Sequence, residues 1–292
     1  MNKSLKITEA SGTDIPDIFS LLEQCLLPTE DISSEKQLFW VIKKDQQIQG
    51  TIAIENYSPY GLLRSFAVHP SYRKQAMGTT LLYHTIEQAE KLGIEFLYLL
   101  TDTAARYFEA REWIYVRRES VPEKVRLSEQ FKSICSESTA CMFLPIKDGK
   151  VRTAIEKFQS GFNCAQSVFS TFSQAIGLDA KDALKISSGF GAGICYKGEI
   201  CGAVTGAYMT LGLKYGRWRS EDTEAKEHTY SLMREFDRQF IARNGSLYCS
   251  NLLEGDMTSV EGLKKINEQR KFQTHCPCFV KDAAEITEGL IS

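Results

Sequence analysis

The stretch from Leu62 to Gly93, LLRSFAVHPSYRKQAMGTTLLYHTIEQAEKLG, decides the fold of the first half of this 292-residue chain. An apolar strand ends at Val68, a turn and a short basic loop follow, and an amphipathic helix stops at the glycine. The first N–H groups of such a helix lack intrahelical partners and carry the positive end of its dipole. The stretch therefore predicts a diphosphate-binding helix N-terminus around residues 73–79. On these residues alone, an ordinary strand-to-helix connection with solvated basic side chains is the alternative.

Around this stretch, the first half of the chain alternates between strand and helix patterns. The runs Leu38–Lys43 and Ile48–Glu55 precede it, and the apolar run Phe96–Leu100 follows it. Residues 147–150 are polar, contain a glycine and follow a proline, which indicates a domain boundary. Beyond them, apolar residues recur at helical spacing and strand patterns nearly vanish. We therefore predict an α/β domain over 1–147 and an all-α, cysteine-containing domain over 150–292.

Composition and charge argue against several classes of function. A formal net charge of −2 gives no electrostatic reason to expect nucleic acid or a membrane surface as a partner. The first residues lack the apolar core of a signal peptide, and no apolar run is long enough to cross a bilayer. We therefore expect a cytoplasmic protein. In a reducing cytosol, its nine cysteines are expected to be free, metal-bound or catalytic rather than structurally paired.

Two motifs in the first half resemble those of the GNAT N-acetyltransferases. The segment Val68–Gly78 follows the family pattern V-x-P-x-x-R-x-x-G-x-G, with Ala76 in place of the first glycine. The segment Thr101–Trp113 is similar to N-x-x-A-x-x-x-Y-x-x-x-G-F, of which only Ala104 matches outright. The resemblance spans roughly residues 5–146. It implies an α/β fold with a mixed central sheet flanked by helices, and acetyl-CoA as the acetyl donor.

The resemblance also implies which residues bind and act. A backbone N–H at Val68, on a bulged strand, is expected to stabilise the thioester oxygen while a substrate amine attacks. The family's acidic tyrosine corresponds to Phe108, so Tyr107 is the neighbouring candidate for general acid. A helix would turn that side chain about 100° away, and water is the alternative proton donor. The predicted acetyl-CoA contacts are Phe66, Ala67, Val68, Arg73, Lys74, Gln75, Ala76, Met77, Gly78, Thr79 and Thr101.

Further stretches resemble one branch of the superfamily, the arsenic-resistance N-acetyltransferases. They include VPEKVRLSEQF (121–131) and SICSESTACMF (133–143). Arg64 belongs to the same set, and it interrupts an apolar strand, where a buried cation needs an anionic partner. A substrate oxyanion such as an arsinate or a carboxylate would make Arg64 a substrate-binding residue. An acidic side chain of the chain itself is the other interpretation.

In the second half, four cysteines stand at predicted helix starts: Cys164, Cys201, Cys249 and Cys276. A helix N-terminus stabilises a thiolate, so we expect several of them to have lowered pKa values. The segments around them, including GFNCAQSVF and GEICGAVTGAY, resemble small helical proteins defined by a C–GCAxxG–C–C signature and classed as redox-active. Three interpretations stay open: a thiol–disulfide relay with a redox partner, a soft metal or metalloid site, and structural packing.

Together these features predict an acetyl-CoA-dependent N-acetyltransferase fused to a thiol redox or soft-metal-binding domain. The predicted substrate is a small amine, with an arsenic-containing amino acid as the finer hypothesis. The alternative is a thiol-based sensor or binding protein whose acetyltransferase-like domain is inactive.

Overall fold

The computed structural model describes residues 6–44, 46–136 and 138–292. The described chain forms two compact units, one from the residues up to Trp113 with 121–147 and the other from 114–120 with 148–292. The longer part of the second unit begins at Asp148, within the polar segment 147–150. The short segment 114–120, which the prediction assigned to the first domain, belongs to the second unit. No helix within these described ranges is long and apolar enough to cross a membrane.

The first unit is a mixed sheet with helices, as predicted. Its strands follow the spatial order β1-β2-β3-β4-β5-β7, in which β4 and β5 are parallel and the other neighbours are antiparallel. The strands are β1 (Ile7–Glu9), β2 (Gln37–Lys44), β3 (Gln47–Tyr57), β4 (Tyr60–Val68), β5 (Phe96–Thr101) and β7 (Ala140–Pro145). The helices are α1 (Ile15–Gln24), α2 (Met77–Lys91), α3 (Ala105–Glu109) and α4 (Glu123–Arg126), with a π-helical turn at Gln130–Ile134.

The parallel strands β4 and β5 separate along their length and leave a gap in the sheet where a ligand could bind. Their pairing extends only over Tyr60–Leu62 and Phe96–Tyr98, although both strands continue further. The later parts of the two strands therefore diverge and leave main-chain groups facing a gap. Helix α2 packs close beside this gap because Gly50 of β3 has no side chain. A Cβ there would lie 2.8 Å from the Leu81 side chain.

The second unit is helical apart from the short strand β6 (Ile114–Tyr115) and one isolated bridge, Ile200 with Tyr248. Part of its core is a cluster of three phenylalanines, in which Phe236 stacks on Phe240 and the Phe279 ring lies 6.4 Å from Phe240 at a tilt. Its helices are α5 (Lys150–Gln159), α6 (Cys164–Ser173), α7 (Ala180–Ser187), α8 (Gly191–Tyr196), α9 (Gly202–Tyr215), α10 (Thr223–Asn244), α11 (Cys249–Leu252), α12 (Val260–Glu268), α13 (Lys271–Thr274) and α14 (Cys276–Ile291).

Helices α6 and α9 approach each other closely through glycine. A Cβ on Gly206 would lie 2.8 Å from the carbonyl oxygen of Ala165 and 3.0 Å from Cβ of Val168. Real side chains do not tolerate the shorter of these distances, so a larger residue would force the helices apart. By contrast, a Cβ on Gly212 of the same helix would meet nothing within 4 Å.

We predict opposite effects for alanine at these two glycines. Gly206→Ala should lower the free energy of unfolding by about 1–3 kcal/mol, because the added methyl overpacks the α6–α9 contact. Gly212→Ala should raise it by about 0.5 kcal/mol, because alanine loses less entropy in a helix. Urea unfolding followed by circular dichroism measures both. Equal effects would contradict the close approach of α6 and α9.

Candidate active site and cysteine cluster

Strand β4 carries a bulge directly after Arg64. Ser65 has a left-handed backbone, with φ of 50°. Across the bulge, Ala53 pairs with Arg64 and Thr51 pairs with Ala67, so two steps along β3 oppose three steps along β4. A bulge of this kind bends the strand and re-aims its main-chain groups. The bulged strand expected near Val68 is therefore present.

Beyond the bulge, the hydrogen-bond alternation decides which main-chain groups face the gap. The N–H of His69 donates to the carbonyl of Gln49 at 2.9 Å. Because an antiparallel ladder alternates, the main-chain groups of Ala67 face β3. Those of Phe66 and Val68 face the opposite side, where β5 diverges. The N–H of Val68 is thus directed into the gap between the strands.

The loop before α2 exposes its backbone in an unusual conformation. Lys74 and Ala76 both have left-handed backbones, with φ of 63° and 62°, and Ala76 caps α2 without a side-chain hydrogen bond. A left-handed non-glycine residue costs roughly 1–2 kcal/mol. The conformation explains why the family motif has glycine where this chain has Ala76. Turn conformations with left-handed residues can direct main-chain N–H groups outward, which suits an anion.

Arg73 connects this loop to the end of β4. Its Nε donates to the carbonyl of Val68 at 3.1 Å, and one terminal nitrogen lies 3.5 Å from Sγ of Cys25. The guanidinium therefore supports the strand end as well as adding charge beside the loop. Lys74 and Gln75 are exposed next to it, as a ligand-binding loop requires.

Three of the predicted cofactor residues also have packing or capping roles. A Cβ on Gly78 would lie 3.2 Å from the ring of Phe66, so this glycine lets the first turn of α2 pack on β4. Met77 is buried beneath that turn, which leaves only its main chain for a ligand. Thr101 accepts a hydrogen bond from the N–H of Ala104 at 3.0 Å through its hydroxyl.

Tyr107 faces the first turn of α2, and Phe108 does not. The Tyr107 ring lies 5.9 Å from the Phe66 ring, and its hydroxyl lies 3.5 Å from Oγ1 of Thr79. The guanidinium of Arg111 stands 3.7 Å above the Tyr107 ring and also donates to the Thr79 hydroxyl. Phe108 is buried in the core. The Phe108 ring also lies 6.0 Å from the Phe66 ring, so the difference between the two residues is that Tyr107 has a hydroxyl and places it near Thr79.

Arg64 pairs with acidic side chains of its own chain. Its side chain is fully buried and forms a two-pronged ion pair with Asp31 and a second ion pair with Glu55 at 2.5 Å. Glu55 also accepts hydrogen bonds from Gln37 at 2.9 Å and from the Tyr57 hydroxyl. Of the two interpretations left open, the structure has the internal salt bridge. Because carboxylates already satisfy the guanidinium, a substrate-binding role for Arg64 finds no support.

A cavity of about 770 Å³ lies beside these carboxylates. Ser128, which also lines it, is buried, and its hydroxyl has no hydrogen-bond partner among the described residues. The charged groups of the described lining are Glu30, Asp31, Glu35, Glu55 and Glu129, with Lys36 as the cation. Sequence reasoning missed this cavity, although residues 29–36, TEDISSEK, show the density of carboxylates that could have indicated it.

In the second unit, all four signature cysteines stand at helix starts, as predicted. Cys164, Cys249 and Cys276 are the first residues of α6, α11 and α14, and Cys201 caps α9. All four are buried. Within the described ranges, no group of three or more His, Cys, Asp or Glu side chains could hold a metal ion. The metal interpretation of these cysteines therefore gains no support from the geometry.

Lowered thiol pKa values were expected for several of the four cysteines, and the structure has one, at Cys164. A hydrogen bond from the Cys201 thiol, helped by N–H groups of Ala192, Cys164 and Ala165, lowers the pKa of Cys164 to about 7. Burial raises the pKa of Cys249 to about 12 and that of Cys276 well above its usual value. The pKa of Cys201 is raised because it donates to Cys164 and is buried. Position at a helix start does not outweigh burial without such donors.

A left-handed segment supplies one of those donors. Residues 192–196 all have positive φ, between 51° and 64°, and four of the five are not glycine. At about 1–2 kcal/mol for each non-glycine residue, this conformation persists only where neighbours hold it. The absence of a side chain at Gly193 lets this segment pack against Cys249, since a Cβ there would lie 2.6 Å from Cβ of Cys249. The glycine-rich run GFGAGICYKG indicates an unusual backbone at this point of the sequence, but it does not indicate that the backbone is left-handed.

Comparison with known proteins separates the same two regions. Residues 12–111 match the family model described as "Acetyltransferase (GNAT) family", and residues 162–290 match "Putative redox-active protein (C_GCAxxG_C_C)". The two predicted family resemblances are therefore confirmed for these parts of the chain, and so is the predicted fold class.

Relatives and solved structures cover the first region. An amino-acid acetyltransferase of Vibrio cholerae is 30% identical over 131 residues, 42% of this chain and 29% of that protein. An amino-acid acetyltransferase of Escherichia fergusonii is 28% identical over 144 residues, 45% of this chain and 32% of that protein. The chain thus spans less than a third of the length of these curated relatives. N-acetylglutamate synthase of Neisseria gonorrhoeae, complexed with coenzyme A and N-acetyl-glutamate, has a TM-score of 0.44 and 22% identity over 51% of this chain and 36% of that chain.

These relatives are amino-acid acetyltransferases rather than members of the arsenic-resistance branch. The predicted link to arsenic therefore gains no support from them.

Proposed function

We propose that the first unit is an acetyl-CoA-dependent N-acetyltransferase acting on a small amine, joined to a thiol redox unit. The main support is the direction of the Val68 N–H, which faces the gap between β4 and β5 beside the N-terminus of α2. The family match over residues 12–111 supports it. Acetyl-CoA supplies the acetyl thioester, and the loop 73–79 binds its diphosphate through main-chain N–H groups.

The residues at the gap divide the reaction between them. The Val68 N–H donates to the thioester oxygen as the amine nitrogen attacks and negative charge develops there. The C–S bond then breaks, and the Tyr107 hydroxyl gives its proton to the departing sulfur. The amine loses its proton to water. Tyr107 suits this role because it lies beside Phe66 and Thr79, at the start of α2.

The first test is calorimetric titration of acetyl-CoA into the reduced protein, with binding in the micromolar range expected. Gly78→Glu should abolish it, because the side chain repels diphosphate and disturbs the turn against Phe66. Gln75→Glu is milder, since it changes only the charge of an exposed loop residue, and should weaken binding by roughly five- to tenfold. Gly12→Glu, where a side chain meets nothing within 4 Å, is the matched control and should bind normally.

Equal binding by all of these variants would show that the loop is wrongly assigned. Absence of binding in the unmodified protein would favour the alternative, a thiol-based sensor with an inactive acetyltransferase-like unit.

Tyr107→Phe tests the general acid. We expect kcat to fall by roughly 10²-fold while acetyl-CoA affinity is retained, because only proton transfer to the leaving sulfur is lost. Tyr83→Phe, on the exposed face of α2, should leave kcat unchanged. Steady-state kinetics across pH provides the measurement. An unchanged kcat in Tyr107→Phe would mean that water supplies the proton.

The acidic cavity supports a cationic amine as substrate. Its carboxylates attract a second positive charge, and Arg64 cannot offer its guanidinium to a substrate carboxylate because Asp31 and Glu55 occupy it. An amino acid, including an arsenic-containing one, is the finer alternative suggested by the relatives and by the sequence. It would need a cation for its acidic group, which the described lining offers only at Lys36.

A substrate screen distinguishes these amines. We expect diamines to have higher kcat/KM than glutamate or an arsenical amino acid. Replacing both Glu30 and Glu35 by Gln should raise KM for the diamine severalfold, because two carboxylates near the second amine are neutralised. Glu23→Gln, exposed on α1 and outside the cavity lining, is the control. A preference for glutamate or the arsenical would contradict the assignment.

A further inference from the structure

Two of the four signature cysteines are in direct contact. The Cys201 thiol donates a hydrogen bond to the Cys164 sulfur. Gly202 makes this contact possible, because a Cβ on it would lie 2.6 Å from Sγ of Cys164. The close approach of α6 and α9 at Gly206 holds the starts of the two helices side by side. Of the four signature sulfurs, those of Cys164 and Cys201 are therefore the pair placed to form a bond with each other.

Main-chain donors surround only one sulfur of this pair. Sγ of Cys164 accepts from the N–H groups of Ala192, Cys164 and Ala165, which come from the left-handed segment and from the first turn of α6. The capping of α6 by Asn163, which accepts from the N–H of Gln166 at 2.9 Å, leaves those N–H groups for the sulfur. Negative charge on Cys164 is thereby stabilised, while Cys201 stays protonated as the donor.

The other two signature thiols, Cys249 and Cys276, differ from Cys164. Burial is the largest influence on Cys249 and on Cys276, and it raises the pKa of both thiols. Cys195 is exposed, and its thiol donates to the carbonyl of Gly189 at 3.1 Å.

We propose that Cys164 and Cys201 form a reversible dithiol–disulfide couple, in which Cys164 is the attacking sulfur and Cys201 the resolving one. The couple would react with a small-molecule disulfide that approaches at Cys164, which is 6% exposed, whereas Cys201 is 2% exposed. This inference deepens the redox character of the second unit and does not rest on acetyl transfer by the first.

The exchange proceeds in two steps. The Cys164 thiolate attacks one sulfur of the disulfide RSSR, the S–S bond of RSSR breaks, and RS⁻ leaves and takes a proton from water. A mixed disulfide, Cys164–S–S–R, remains. The sulfur of Cys201 then attacks Sγ of Cys164, its proton goes to the second departing RS⁻, and the Cys164–Cys201 disulfide forms. Two electrons pass from the cysteine pair to RSSR, which is reduced to two RSH.

The test uses the full-length reduced protein and 2-hydroxyethyl disulfide as the probe, followed by acid quenching and peptide mass mapping. The unmodified protein should yield a Cys164–Cys201 cross-link. Cys201→Ser should accumulate the mixed disulfide on Cys164, because the resolving sulfur is gone. Cys164→Ser should leave Cys201 unmodified. Cys249→Ser, which removes another buried cysteine of the signature, should retain the cross-link. Circular dichroism and urea unfolding report whether each variant is folded, independently of the couple.

The pH dependence gives a second readout. The rate is measured in the unmodified protein at short times, because replacing Cys201 would change the hydrogen-bond donor to the Cys164 sulfur. Modification of Cys164 should rise with pH and reach half its maximum near the Cys164 pKa of about 7, because the thiolate is the reacting form. Gly202→Ala keeps both sulfurs but displaces Sγ of Cys164, and should slow cross-linking about tenfold or more.

Two results would overturn the proposal. One is a cross-link that joins Cys249 to Cys276 and omits Cys164 in the folded protein. The other is a folded Cys201→Ser variant in which the probe modifies Cys195 and leaves Cys164 free.

Discussion

Both candidate sites depend on one constraint, the close packing of a helix N-terminus against a neighbouring element through glycine. In the first unit, the Cβ position of Gly78 lies 3.2 Å from the Phe66 ring. In the second unit, the Cβ position of Gly202 lies 2.6 Å from the Cys164 sulfur. A side chain at either position would push the helix start away from the group beside it. The chemistry of each site follows from keeping that distance short.

Unpaired N–H groups at a helix start have a different role in each unit. At the start of α2, the N-cap Ala76 makes no side-chain hydrogen bond to the first N–H groups, and these suit a diphosphate. At the start of α6, N–H groups act on the Cys164 sulfur together with Ala192 of the left-handed segment. Both arrangements include non-glycine residues with positive φ, so each site maintains backbone strain that the surrounding structure must offset.

Electrostatics separates the structural charges of the first unit from those available to a ligand. Arg64 is buried and neutralised by Asp31 and Glu55, and breaking either pair would leave a buried charge uncompensated. Glu30 and Glu35 line the adjacent cavity without being part of that ion-pair cluster. A carboxylate-rich cavity next to a satisfied guanidinium favours a cationic ligand over an anionic one.

Local periodicity, capping residues and spacing were enough to predict the order of elements and the position of four cysteines at helix starts. The tertiary structure was needed to show that Arg64 pairs internally with Asp31 and Glu55 and that the Tyr107 hydroxyl lies near Thr79. It also decided that Cys164 alone among the four has a lowered thiol pKa. These outcomes depend on burial and on partners distant in the sequence, such as Ala192 for Cys164, and no local pattern encodes such contacts.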